Sequence, residues 1–130
     1  MNSRHALNAY RQTGAQGGVT DASPHQLITM LFNGALDRIA SARGAMERGE
    51  TAKEGEMIGK AISIVDNLRA SLDHQQGGEL AQRLSDLYEY MERRLLEARR
   101  ESDPSKLQEV AGLLREIQSG WEEIPAEHKA

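Results

Sequence analysis

Apolar residues recur at steps of three and four along most of the chain, and this spacing places them on one side of an α-helix. The first helix is predicted to begin after Ser23, because Pro24 suits the first helical position and Gln26 stands where it completes a capping box. The sequence RGE at 48–50 ends this pattern, and a second helix is predicted from Thr51 or a few residues later. The apolar stripes of these two helices are Ile28, Leu31, Ala35, Ile39, Ala42 and Met46, followed by Ile58, Ala61, Ile62, Val65, Leu68 and Leu72.

A third and a fourth helix follow the sequence DHQQGG, whose two glycines favour a helix end and a turn. The third helix is predicted from about Glu79 to the break SDPS. Within that break, Asp103 is expected to cap the fourth helix and Pro104 to open it, and Pro125 ends it. Their stripes are Leu80, Leu84, Leu87, Met91, Leu95 and Ala98, followed by Leu107, Val110, Leu114, Ile117, Trp121 and Ile124.

Four amphipathic helices joined by short turns bury their apolar stripes most simply as an antiparallel up-down four-helix bundle, so the fold class is predicted to be all-α. Ahead of the first helix, the glycines and small polar residues of TGAQGGVTDAS are typical of a flexible linker. The predicted organisation is therefore a mobile N-terminal segment at 1–22, the bundle at 23–125 and a C-terminal tail at 126–130.

Composition narrows the function classes. The chain has 130 residues, enough for one domain with a single core, and a formal net charge of −4 with acidic and basic residues interspersed. It therefore lacks the basic face that nucleic acid or an anionic membrane would require. The apolar run LITMLF is far shorter than the roughly 20 residues that span a bilayer, and the N-terminus has no secretory signal. The absence of cysteine suits a reducing compartment, so we predict a cytoplasmic protein without membrane insertion.

No catalytic or metal-binding motif is recognisable. A di-iron bundle requires a Glu-x-x-His pair on successive turns, and this pattern does not occur in the sequence. His5, His25, His74 and His128 fall in the N-terminal segment, a helix start, a turn and the C-terminus, where solvated histidines are common. A histidine phosphotransfer domain is an alternative, since it is also a helical bundle with an exposed histidine, but HQQGG at His74 lacks the usual His-x-x-Lys-Gly pattern. We predict no enzyme activity, no cofactor and no metal.

Several large side chains lie outside the predicted stripes and are candidates for contact with a partner. In LYEYMERRL, Tyr88 falls on one flank of the third-helix stripe and Tyr90 lies further round on the other. Methionine and tyrosine suit such surfaces, the first by flexibility and the second by its broad apolar ring with a polar tip. The candidate partner-binding residues are Leu7, Tyr10, Met30, Phe32, Met57, Ile64, Tyr88, Tyr90 and Leu96. A self-associating helical bundle, or an adaptor for some other helical ligand, would share these features.

Three segments carry a family resemblance. They are ASPHQLITMLFNGAL at 22–36, SLDHQQGGELAQRLSDLYEYMERRLLEA at 71–98 and GLLREIQSGWEEI at 112–124. In order and spacing they resemble the flagellar secretion chaperones of the FliS family, and the likeness covers nearly the whole chain. The resemblance implies a four-helix bundle that binds the C-terminal segment of newly made flagellin in the bacterial cytosol, prevents its early polymerisation and helps deliver it to the flagellar type III export gate.

The resemblance also implies roles for particular residues. Leu7 and Tyr10 match an N-terminal segment that in the family lies over part of the flagellin-binding surface and takes part in contact with the export gate protein. Phe32 and Asn33 replace the family's usual tyrosine and aspartate, which removes a hydroxyl and a charge. Arg99 stands where the family usually has asparagine, near a helix end that tolerates a cation.

Overall fold

The computed structural model describes residues 23–123, and four antiparallel helices account for most of them. They are α1 (Pro24–Glu47), α2 (Thr51–Ala70), α3 (His74–Glu101) and α4 (Pro104–Glu123). Connections of two or three residues join successive helices, so each helix must run back along the one before it. α1 packs against α2 and α4, and α3 packs against the same two helices. The predicted all-α, up-down four-helix bundle is confirmed.

The start of α1 has the predicted capping box. The Ser23 hydroxyl accepts a hydrogen bond from the Gln26 amide nitrogen at 3.1 Å, and the Gln26 side chain accepts one from the Ser23 nitrogen at 2.8 Å. The predicted start of α4 is also confirmed, because the Asp103 carboxylate accepts from the Ser105 amide nitrogen at 2.9 Å. At both positions, local side-chain hydrogen bonds satisfy amides that have no partner within the helix.

The start of α3 has one turn more than the prediction. The uninterrupted helix follows Gly78, as predicted, but a short helical stretch from His74 precedes it, because Asp73 caps that stretch by accepting hydrogen bonds from the Gln75 and Gln76 amides, both at 3.1 Å. Gly78 then interrupts the first turn with φ 51° and ψ −122°, a conformation that is costly for residues with a side chain. Consequently the two glycines produce a kink within α3, and the turn between α2 and α3 lies earlier, at 71–73.

The core follows the predicted stripes along most of the bundle. Its fully buried side chains include Leu31, Phe32, Ile58, Leu68, Met91, Leu95, Leu107 and Leu114. Leu80 is an exception, since it was predicted to lie in the α3 stripe and is 64% exposed, whereas its neighbour Ala81 is buried. By helical rotation Leu80 lies on the same side of α3 as Met91, but it is in the first turn after the kink, at the end of the bundle. The periodicity therefore predicted correctly the side of α3 on which Leu80 lies, but the prediction that Leu80 is buried is wrong.

Some predictions fall on other parts of the chain. The N-terminal segment with Leu7 and Tyr10, and the end of the fourth stripe at Ile124, lie outside the described residues. The domain boundaries proposed after residues 22 and 125 therefore stay predictions.

Candidate protein-binding surfaces

An apolar cavity opens at the end of the bundle where α1 begins and α4 ends. Its volume is about 140 Å³, and all four helices or their connections contribute to its wall. The lining residues are Ile28, Phe32, Leu68, Ser71, Leu72, Asp73, Leu84, Tyr88, Ile117 and Trp121. Cavities of roughly 150 Å³ accept a group as large as benzene, so this end cavity has room for one apolar side chain.

Trp121 forms one side of the end cavity through contacts with the start of α1. Its ring stacks on that of His25, with centroids 5.2 Å apart and planes inclined by 18°. The indole Nε1 donates a hydrogen bond to the Thr29 hydroxyl at 3.3 Å, and that hydroxyl donates to the His25 carbonyl at 3.2 Å. These contacts hold the last described turn of α4 against the first turns of α1.

Phe32 and Tyr88 lie deeper than the sequence indicated. We expected Phe32 towards the edge of its stripe and Tyr88 on a flank, but their exposed fractions are 2% and 3%, and both belong to the core. The broad inner face of each helix explains the difference, because a bundle helix contacts two neighbours and buries more than a narrow seam. Both side chains nevertheless line the end cavity. Their contact with a partner stays a prediction.

The Tyr88 hydroxyl has an unusual environment. Within residues 23–123 it makes no hydrogen bond. Burial raises the pKa of this tyrosine far above its ordinary value, so the group stays protonated and can donate. A polar hydroxyl on the wall of a largely apolar cavity is the kind of group that orients a ligand.

Tyr90 is engaged inside the bundle, unlike Tyr88. It is half-buried, and its hydroxyl donates a hydrogen bond to the Glu109 carboxylate on α4. Arg94 also donates to Glu109, at 2.7 Å, and to Glu97 at 2.9 Å. These two donors lower the pKa of Glu109, with the bond from Tyr90 the larger cause. Tyr90 therefore helps to join α3 to α4, and its predicted availability to a partner is limited to the remaining exposed part of the ring.

The other candidates are spread over three helices. Met57 and Ile64 on α2 are half-buried and pack against the core, and Met30 on α1 is half-buried. Leu96 on α3 is 46% exposed. Of the predicted residues that lie within 23–123, only Phe32 and Tyr88 line one common cavity.

Sequence reasoning missed the rim of the end cavity. Leu72, Leu84, Ile117 and Trp121 were assigned to core stripes, but they are half-buried and line the opening. Leu80, one turn before Leu84 on the same side of α3, continues this apolar surface into solvent. The available signal was weak, since only Trp121 stands in the last described turn of its helix and Leu72 lies in a connection.

A partly buried carboxylate, with one oxygen out of contact with solvent, lies between α2 and α3, away from the cavity. Glu92 Oε2 is 3.8 Å from Arg69 Nη1, too far for a hydrogen bond, and no donor among residues 23–123 reaches it. Burial, reinforced by the nearby charges of Asp66 and Glu89 and opposed by Arg69, raises the pKa of Glu92 to about 7. We interpret this carboxyl as part of the packing between α2 and α3, where burial disfavours its charged form.

These features define a class of protein. In the described part of the chain, no three histidine or acidic side chains come together as a metal site would require. None of the four helices is both long enough and apolar enough to cross a membrane. An all-helical bundle with an open apolar cavity and an apolar rim is an architecture typical of helical protein-binding modules.

Comparisons with known proteins agree with this class. The sequence model of the family described as flagellar protein FliS matches residues 6–128. The flagellar secretion chaperone FliSB of Pseudomonas aeruginosa is 49% identical over 124 residues, which cover 95% of this chain and 98% of the relative. The flagellar secretion chaperones FliS of Salmonella typhimurium and Bacillus subtilis are 46% and 33% identical, over 95% and 88% of this chain and 93% and 85% of their own lengths.

The chain therefore belongs to the FliS family, whose members are chaperones and not enzymes. This membership supports an export-chaperone role and removes the phosphotransfer alternative. His74, on which that alternative depended, lies in the first turn of α3.

Proposed function

We propose that this protein is a cytosolic chaperone that binds the disordered C-terminal segment of flagellin, prevents its premature polymerisation and assists its delivery to the flagellar type III export gate. The observation that carries the proposal is the end cavity of a FliS-family bundle, apolar and open at the surface. The chaperone names of the relatives support the same function.

The physical argument begins with the ligand. A segment that is disordered before assembly pays for its ordering when it binds, and burial of apolar side chains offsets that cost. The end cavity accepts one such side chain, and the exposed Leu80 beside it extends the contact. The Tyr88 hydroxyl can then donate a hydrogen bond to the bound segment. An amphipathic helix that presents an apolar face would satisfy all three contacts.

The N-terminal segment enters the proposal through its position in the chain. Residues 1–22 lead directly into Ser23, which precedes the turn of α1 that contacts Trp121. We propose that Leu7 and Tyr10 cover part of the flagellin-binding surface in the free protein and contact the export gate protein. Covering would protect apolar surface until flagellin displaces the segment.

Trp121 provides a direct test, because it is the only tryptophan in the chain and lines the end cavity. A flagellin C-terminal segment without tryptophan should form a complex that elutes together with the chaperone in gel filtration, and should shift Trp121 emission. A peptide of the same composition in scrambled order is the control. If the flagellin segment neither co-elutes nor changes the emission, the proposed function is wrong.

Two exposed leucines on α3 form a matched pair for locating the contact. Leu80 adjoins the end cavity and is 64% exposed, whereas Leu96, at 46%, lies on the outer side of the helix. Leu80→Gln should weaken flagellin binding more than Leu96→Gln, and neither should alter thermal unfolding because both side chains are in solvent. Loss of binding at Leu96 alone would place flagellin on the outer face of α3.

A further inference from the structure

A second concave surface, which we call the α1–α4 groove, runs between those two helices and encloses about 490 Å³. Its base consists of small or apolar side chains, and its edges carry charged and amide groups. The lining residues are Leu36, Ile39, Ala40, Arg43, Gly44, Glu47, Leu107, Gln108, Ala111 and Arg115. Ala40 and Gly44 stand four residues apart on one side of α1 and present little side-chain volume to the groove.

Two arginines border this groove from opposite helices. Arg43 on α1 has a long ion pair, with Nε 3.8 Å from Glu47 Oε2 and both side chains about half or more in solvent. Its guanidinium also lies against the Gln108 side-chain amide, and when the amide oxygen is turned towards Arg43 it accepts hydrogen bonds at 2.7 and 3.1 Å. Arg115 on α4 has no hydrogen bond or ion pair to any residue within 23–123. The groove therefore offers at least one guanidinium whose donors are not engaged by any residue within 23–123.

The spacing of the arginines matches the repeat of a helix. Gln108 and Arg115 are seven residues apart on α4, which is two turns or about 10 Å. Because Arg43 reaches Gln108, its side chain meets α4 two turns before Arg115. On a second helix lying in the groove, side chains seven residues apart point in the same direction and are also about 10 Å apart.

We propose that the α1–α4 groove binds an amphipathic helix of a partner protein that carries two acidic side chains seven residues apart, one for Arg43 and one for Arg115. Apolar side chains between the acidic pair would lie on the base formed by Leu36, Ile39 and Ala111. The Glu47 carboxylate at one end of the groove disfavours a polyphosphate or nucleic acid along its whole length. The proposal deepens the proposed function by naming the kind of helix that this chaperone holds.

Two synthetic peptides test the proposal independently of flagellin. Both are 18-residue amphipathic helices with the same leucine stripe, and they differ only in having Glu or Gln at two positions seven apart. By fluorescence anisotropy the Glu peptide should bind about tenfold more tightly, since two exposed charge pairs supply that difference. The double variant Arg43→Gln/Arg115→Gln should remove the difference, whereas Arg83→Gln, which changes an exposed arginine on α3, should preserve it.

Several results would contradict the groove proposal. It is overturned if neither peptide binds, if both bind equally, or if Arg83→Gln has the same effect as the double variant. Dimerisation that the Glu peptide reverses in sedimentation would identify a second copy of this chain as the occupant and would also overturn it. If flagellin alters Trp121 emission while the peptides fail, the groove proposal is wrong and the proposed function stands. If the peptides bind as expected while flagellin does not alter Trp121 emission, the proposed function is wrong and the groove proposal stands.

The absence of native cysteine allows the position to be checked. Ala40→Cys places a unique thiol on the exposed edge of the groove, and Ser63→Cys places one on α2, which does not line it. The Glu peptide should slow maleimide labelling at residue 40 several-fold and leave labelling at residue 63 unchanged. Equal labelling rates at residue 40 with and without saturating peptide would show that the peptide binds elsewhere.

Discussion

Tyr88 shows how one residue can serve both the fold and a site. Its ring fills the core beside Phe32 and Met91, while its hydroxyl has no hydrogen bond to residues 23–123 and belongs to a side chain on the cavity wall. The hydroxyl can therefore donate to a partner without breaking a hydrogen bond within residues 23–123.

Tyr88→Phe separates these two roles. The variant should fold with unchanged or up to about 1 kcal/mol higher stability, because no internal hydrogen bond is lost. Its affinity for the flagellin segment should fall by about two- to tenfold, the effect of one hydrogen bond. Denaturant unfolding and a binding titration measure the two quantities on the same sample. A clear loss of stability would show that the hydroxyl is bonded within the protein.

Glu92 predicts a pH dependence of stability. Its pKa is raised from the ordinary 4.5 to about 7 in the folded state, so the folded protein keeps a proton that the unfolded chain has released. The contribution of this residue to stability therefore decreases as the pH rises from about 4.5 to about 7 and is constant above that range. The cause is desolvation of a carboxylate whose Oε2 has no donor within residues 23–123.

The variant Glu92→Gln removes this titration. Near pH 4 it should match the original protein, in which Glu92 is then neutral both folded and unfolded. At pH 8 it should be more stable by about 1 kcal/mol, since water reaches part of the Arg69 and Glu92 pair and reduces the full effect. Urea unfolding at the two pH values measures the difference. A variant that is less stable than the original at pH 8 would show that the Arg69 contact outweighs burial.

At the scale of helices, local chemistry determined what could be predicted. The starts of α1 and α4 followed from Ser23, Gln26, Asp103 and Pro104, because capping depends on residues within one turn. The break at Gly78 also followed from the sequence, but the extra turn before it did not, since Asp73 caps a turn that the following glycines were expected to exclude. Periodicity predicted which side of each helix is apolar. Burial also requires another helix opposite that side, and the sequence alone does not show where the bundle ends.

Leucines at two positions test this distinction between direction and burial. Leu114 on α4 is fully buried, so Leu114→Ala should lower the free energy of unfolding by about 2–5 kcal/mol. Leu80→Ala should change it by less than about 0.5 kcal/mol, because the side chain is already in solvent. Denaturant unfolding measures the free energy of unfolding of both variants. Similar decreases for the two would mean that Leu80 is covered in solution.

At the scale of the whole molecule, the candidate site forms only when the four helices pack together. The end cavity combines residues from distant parts of the sequence, such as Phe32, Leu72 and Trp121, and no local pattern distinguishes them from ordinary core residues. The family resemblance indicated the function from three sequence segments and is now confirmed by relatives that match along the chain. Helical periodicity could not predict which surface binds the partner. It shows which side of each helix is apolar, but not where the packed helices leave a cavity.

Deletion of residues 1–18 tests the role proposed for the N-terminal segment. The described bundle contains its own core and caps, so the truncated protein should still unfold cooperatively at nearly the same denaturant concentration. If Leu7 and Tyr10 cover the flagellin-binding surface, binding of the flagellin segment should be unchanged or stronger without them. Circular dichroism and a binding titration measure both outcomes. Weaker flagellin binding would mean that the segment contributes contacts to the complex.

Titration calorimetry of this protein with the flagellin C-terminal segment, at several temperatures, tests the central claim most directly. Binding that buries apolar surface and orders the segment into helix should give a negative heat-capacity change, and mixing should raise helical circular dichroism above the sum of the separate components. Such a result would support a chaperone that folds part of its cargo on an apolar surface. No heat at any temperature, together with no gain of helix, would contradict the account and favour a self-associating bundle.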